Sequence, residues 1–76
     1  MDEIREYDVV EVVRLIKSDR RYDGTHGTMR APQIGDIACV SHDYAPENPK
    51  STLAVEMVNN EGYTIWLADF TPDELE

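Results

Sequence analysis

Three side chains in this chain of 76 residues are soft metal ligands: His26, Cys39 and His42. Cys39 and His42 stand three positions apart, and on a strand that spacing points them to opposite faces. Neither a shared metal nor a Cys-His nucleophilic pair is therefore expected. With Ile37 and Val40 beside it, Cys39 reads as a small core residue. A single cysteine allows no intramolecular disulfide and no thiolate cluster within one chain, and with no signal or spanning run in the sequence a reducing cytoplasm is the expected address. The segment GTHGT at 24–28 carries glycines that could bare backbone amides to a phosphate, with Arg20, Arg21 and Arg30 nearby. It lacks the Lys-Ser/Thr ending and the strand-then-helix frame of a phosphate loop, and reads as a mobile loop. Tyr22 is the only aromatic residue in this basic stretch, which lacks the aromatic interleaving of an RNA-binding barrel. Carboxylates are plentiful, but none is singled out as half of a general acid and base pair, and Asp69 reads as a solvated strand end. No catalytic residue, metal or cofactor is predicted.

The charge balance says more. Sixteen acids against seven bases give a net charge of −9. Residues 36–76 hold nine acids and one base, Lys50, whereas five of the seven bases fall between positions 14 and 30. Such a field repels nucleic acid and anionic lipid and steers cationic partners, although acidity also serves solubility alone. The tryptophan sharpens this expectation. If Tyr63, Ile65 and Leu67 face the core, alternation turns Trp66 outward, where it either covers a second small cluster or anchors a partner. Glu56, Asp69 and Asp43 would give it an anionic rim, and Tyr44 would join the aromatic centre. That set of five suits a cationic protein surface.

The elements that must position these residues are short. Residues 8–16, DVVEVVRLI, are rich in β-branched side chains and read as a strand, although their apolar positions also fit a helical stripe. The stretch 17–32 is polar and broken by Gly24, Gly27 and Pro32, which predicts a long exposed loop. Gly35-Asp36 makes a tight turn that launches a second strand over 37–44. Residues 45–51, with Pro46 and Pro49, form a connection. In 52–58, Leu53, Val55 and Met57 alternate inward while Thr52 and Glu56 face out. Asn59-Asn60-Glu61-Gly62 then links this strand to the next, over 63–68, in a hairpin. Thr71-Pro72-Asp73-Glu74 has the capping-box pattern of a single helical turn, with Leu75 folding back on the core. At 76 residues the whole chain, 1–76, is one domain with little room for a deep cavity. The start of the sequence shows neither a signal pattern nor a run able to span a bilayer.

IGDIACV, LAVEMVNNEGYTIWLADF, the closing TPDELE and the early DVVEVV together resemble small bacterial proteins of the uncharacterised class called DUF4926. The resemblance covers roughly two thirds of the chain; it departs at Ala38, where glycine followed by threonine is common, and in the longer 17–32 loop. It implies an SH3-like β-barrel and no established activity. The expectation is thus a mainly β protein, a small SH3-like barrel of about five strands with a short terminal helical turn. As a non-catalytic binding module it would take a basic protein partner, in the most concrete case as an immunity-type or antitoxin-type inhibitor of a toxin or nuclease. The alternative is an accessory subunit docked permanently in a larger assembly.

Overall fold

The computed structural model of the protein describes residues 4–17, 19–45, 47 and 52–76. Five strands form one antiparallel sheet: β1 (Val9–Glu11), β2 (Tyr22–Asp23), β3 (Ile37–Asp43), β4 (Leu53–Val58) and β5 (Thr64–Phe70). Their spatial order is β1-β3-β4-β5-β2. A 3-10 turn over Pro72–Glu74 follows β5. The fold is mainly β, and the sheet is consistent with an SH3-like barrel that stays open between β1 and β2. Of the expected 45–51 connection, Pro46 and residues 48–51 lie outside the described residues, as does Lys50.

Val10, Val12, Ala38, Val40, Leu53, Val55, Trp66, Ala68, Phe70 and Leu75 make a single buried cluster. The inward positions of β1, β3 and β4 are those that period-two alternation selects, with β-branched residues filling most of them. Complete burial of side chains of this size contributes about 1.5–3 kcal/mol each. The outer edge of β1 is covered by the end of the chain. Glu11 and Glu76 exchange backbone bonds of 2.8 and 3.0 Å, and Val12 bridges Leu75. An unpaired strand edge is thereby removed. β1 is much shorter than the expected 8–16 strand because its continuation leaves the ladder to serve the 3-10 turn. The Val13 and Arg14 amides donate to the Glu74 carbonyl, and the Ile16 amide donates to the Glu74 side chain.

The expected phase of β5 is inverted. Trp66, Ala68 and Phe70 face the core, whereas Tyr63 is exposed and Leu67 is 38 % exposed. Next to the hairpin, Val58 pairs with Thr64, but from Met57 onward the register is shifted by one, so that Met57 faces Trp66, Val55 faces Ala68 and Leu53 faces Phe70. One extra residue in a strand sends every later side chain to the other face. Carried on without that bulge, the hairpin would have put Ile65 opposite Met57 and turned Trp66 outward. The turn itself forms as the sequence suggests. Asn59 Oδ1 accepts from the Glu61 and Tyr63 amides at 2.9 and 3.0 Å, and Gly62 has φ +87°.

The bulge is held from outside the hairpin. The Thr25 amide donates to the Thr64 carbonyl at 2.9 Å and the Arg30 amide to the Ile65 carbonyl at 3.2 Å. Backbone groups released by a bulge need partners, and the segment expected to be a free loop supplies them. That segment also contains β2, where Tyr22 pairs with Ala68 and Asp23 with Leu67. The 17–32 stretch therefore joins the barrel wall through β2, Thr25 and Arg30. Gly24 permits this close approach, because a Cβ there would sit 2.7 Å from the Ile65 carbonyl oxygen and 2.9 Å from Met29 Cγ. Gly24→Ala is expected to cost about 1–3 kcal/mol by overpacking. Urea unfolding followed by Trp66 fluorescence checks this, and an unchanged midpoint would return the segment to the status of a loose loop.

Candidate functional site

Trp66, expected at the centre of the binding surface, is fully buried. Its indole Nε1 donates to Asp36 Oδ2 at 2.9 Å, and its ring lies 5.4 Å from that of Phe70. The outward placement is corrected by the one-residue shift in β5. In this fold Trp66 organises the interior and presents no surface to a partner.

The remaining four expected residues separate into two groups. Tyr44 and Asp69 come together, with the phenol donating to Asp69 Oδ1 at 3.1 Å. That hydrogen bond raises the Tyr44 pKa above its ordinary value. Tyr44 also meets His42 edge-on, at 4.9 Å between ring centroids, and His42 Nδ1 lies 3.1 Å from Glu6 Oε1. Glu56 pairs with Leu67 on the same outer face as Asp69, and accepts a hydrogen bond from the Thr64 hydroxyl. Asp43, by contrast, pairs with Leu53, whose side chain is in the core. It belongs to the far end of the other face, where its amide donates to Glu6 and its carboxylate accepts from the Ala45 amide.

A second bulge, between Val40 and His42, alters the chemistry expected of β3. Cys39 is exposed and pairs with Glu56, whereas His42 pairs with Ala54. The extra residue places Cys39 and His42 on the same outer face, against the expectation from simple alternation. Cys39 is correspondingly not a core residue. Its Sγ lies 3.6 Å from the Tyr7 carbonyl oxygen. No group of three His, Cys, Asp or Glu side chains arranged to hold a metal ion is found among the described residues.

Two of the arginines near GTHGT face inward to buried carboxylates, which sequence reasoning missed. Arg30 forms two parallel bonds of 2.9 Å to Asp36, which also accepts from the Gln33 amide at 2.9 Å and from Trp66. Burial pushes the Asp36 carboxyl up, but these donors and the charge of Arg30 outweigh it and hold the carboxyl below its ordinary value. The same pairing raises Arg30. Arg20 pairs with Glu74, which is fully buried and also accepts from the Ile16 and Thr71 amides at 2.9 and 3.0 Å. Here too burial acts upward, and the Arg20 and backbone donors bring the Glu74 carboxyl below its ordinary value. The Arg20 guanidinium lies over the Phe70 ring, 4.0 Å from its centroid. Its Nε and Nη1 are enclosed and find no acceptor among the described residues. The available signals were a tryptophan needing an acceptor when buried, and Glu at the third position of a capping box.

GTHGT itself forms a turn whose Thr28 and Met29 amides both donate to the Thr25 carbonyl at 2.9 Å. With the Thr25 amide committed to β5, three donors that a phosphate would need are already in use.

A groove of about 720 Å³ lies across the outer face of the sheet. Ala54 of β4 and Leu67 and Asp69 of β5 line it, with Ser41 and Tyr44 on the β3 side and Arg21 and Asp23 on the β2 side. Its size is in the range of ligand sites, and its polar groups converge from both sides. Among the described residues no helix is long and apolar enough to cross a membrane. No family model, curated protein or solved structure matches the chain.

Proposed function

We propose that the chain is a non-catalytic, acidic protein-binding module whose outer sheet face occupies a basic surface of another protein. In its most concrete form it is an immunity-type or antitoxin-type inhibitor that covers the basic, nucleic-acid-facing site of a toxin or nuclease. The resemblance to DUF4926 belongs to the same reading and rests on the Gly35-Asp36 strand start, the β4–β5 hairpin and the closing turn. The observation that carries it is the disposition of charge. Of sixteen acids and seven bases, Arg20 and Arg30 are turned to Glu74 and Asp36, while Glu56 and Asp69 share the outer face on which Tyr44 is also exposed. An acidic face of this kind accelerates encounter with a cationic partner and loses that advantage as salt rises.

The test is kinetic. The tagged protein recovers its partner from native cells, and association of the purified pair is followed at low and high ionic strength. Glu56→Gln with Asp69→Asn is expected to slow association roughly tenfold at low salt, within the range that steering provides, and to flatten the salt dependence. An unchanged rate and an unchanged salt slope would sink the proposal.

One observation favours the second reading, an accessory subunit in a larger assembly. Val9 is 73 % exposed and Ile37 53 % exposed on the outer surface of β1 and β3, near an exposed Tyr7. If that surface is the docking face, association resists salt and Val9→Glu abolishes it.

A further inference from the structure

Tyr7 is held in a backbone conformation that side chains normally avoid. The Asp8 amide closes a turn on the Arg5 carbonyl at 3.1 Å, and Tyr7 stands at its third position with φ +73°. Turns with a positive φ at that position take glycine or asparagine there, because a Cβ is crowded in the left-handed region. Tyr7 is the one non-glycine with positive φ among the described residues. The turn is pinned on both sides. The Tyr7 amide donates to the Val40 carbonyl at 2.7 Å and the Val40 amide to the Asp8 carbonyl at 2.8 Å. The Asp8 carboxylate accepts from the Arg5 amide at 2.8 Å, and Ile4 packs against the core. None of this requires a tyrosine. Its side chain is 74 % exposed, and its phenol bonds to no described residue. An observed backbone outlier of this kind is a lead to function.

Tyr7 stands where the outer sheet face begins, beside β1. Its carbonyl oxygen lies 3.6 Å from Cys39 Sγ, and Cys39 is paired with Val9, as Ile37 is with Glu11. Val9 and Ile37 are exposed, and Asp8, Glu11 and Glu56, the last paired with Cys39, flank this apolar centre. These three acids form no ion pair among the described residues, and Arg5 is the one base of the turn. A second copy of the chain would set the acids against one another. A partner with an apolar pocket and a basic rim complements both the centre and its surround.

We propose that Tyr7 is the aromatic anchor of the interface, seated with Val9 in an apolar pocket of the basic partner whose rim bears arginine or lysine. The anchor rests on the acidic-module reading and adds which residue fills the partner and what kind of pocket receives it. A rigidly presented aromatic side chain that enters a desolvated pocket dominates an interface of this kind.

The probe is the partner recovered by the tagged wild-type chain, compared as a purified pair across variants. Tyr7→Asn suits the left-handed position, so its melting temperature is expected to equal or exceed that of wild type. Its complex should dissociate roughly 30-fold faster, the size of a hot-spot truncation, with association rate and salt slope unchanged. Tyr7→Phe keeps the ring and is expected to retain binding. In native cells, p-benzoylphenylalanine in place of Tyr7 should crosslink that partner, whereas the same group in place of Tyr63, an exposed tyrosine beside the β4–β5 turn, should not. Unchanged dissociation of Tyr7→Asn, a fall in its melting temperature, no adduct at position 7, or equal adducts at positions 7 and 63 would each overturn the proposal. The two readings fail separately. Steep salt dependence of association with no effect of Tyr7→Asn overturns the anchor alone. Salt-independent association that still requires Tyr7 overturns the acidic-module reading and leaves the anchor.

Discussion

Asp36→Ala is expected to remove a large share of the protein's stability. The carboxylate answers two Arg30 donors, the Gln33 amide and the Trp66 indole, so its removal strands four donors at the barrel wall. Breaking a buried ion pair by deleting one partner costs about 3–5 kcal/mol, and because the Arg30 side chain is 38 % exposed the loss here lies at the lower end of that range. A chain of 76 residues has roughly 4–11 kcal/mol of total stability to lose. Urea unfolding followed by the single tryptophan gives the number. Asp36→Asn should fall between wild type and Asp36→Ala, because an amide still offers Trp66 an acceptor but lacks the charge that Arg30 requires. Equal midpoints for Asp36→Ala and wild type would show that Trp66 and Arg30 find other partners at no cost.

Glu74→Ala should be of similar severity, about 3–5 kcal/mol, and its pattern differs in a way that identifies the cause. Glu74 joins three parts of the chain. It takes Arg20 from the segment before β2, the Ile16 amide after β1, and the Thr71 amide ahead of its own turn. Deleting Arg20 instead leaves Glu74 with both amide donors, so Arg20→Met is expected to cost less than Glu74→Ala. The pair also sets the acid limit of the fold. Asp36 and Glu74 have ordinary values of 3.8 and 4.5, and both are held lower in the folded protein. The unfolded chain therefore takes up these protons first. Their stabilisation is complete above the ordinary carboxylate range and is lost as pH falls through the lower folded values. Protonation of surface carboxylates relieves the repulsion of a −9 chain and acts in the opposite direction over the same range. Glu74→Gln separates the two, because it removes the steep acid loss attributed to Glu74 and leaves the surface contribution intact. Wild-type and Glu74→Gln stabilities that change in parallel below pH 4 would contradict the assignment.

Much of the fold was legible because it is written in local chemistry. Gly35 has φ +97° and Gly62 has φ +87°, so the two turns that frame β3 and the β4–β5 hairpin are set by residues without a Cβ. The alternation of Leu53, Val55 and Met57, and the return of Leu75 over a capped turn, follow from side-chain period and capping chemistry. The candidate site was legible only in part. Tyr44, Asp69 and Glu56 lie on the outer face as expected, whereas Asp43 and Trp66 do not.

By itself, then, the sequence determined that this chain is acidic, mainly β and punctuated at its turns, because composition, period and glycine positions are properties of neighbours along the chain. The tertiary structure alone decided which face each strand presents. A bulge adds one residue without any local mark, and its cost is met by amides from a distant segment, Thr25 and Arg30 on the carbonyls of β5. That single shift carried Trp66 into the core beside Asp36 and gave the outer face to Leu67 and Asp69. The same long-range docking decided that Arg20 and Arg30 serve buried carboxylates, since an ion pair spanning 54 residues, Arg20 with Glu74, has no signature in sequence spacing.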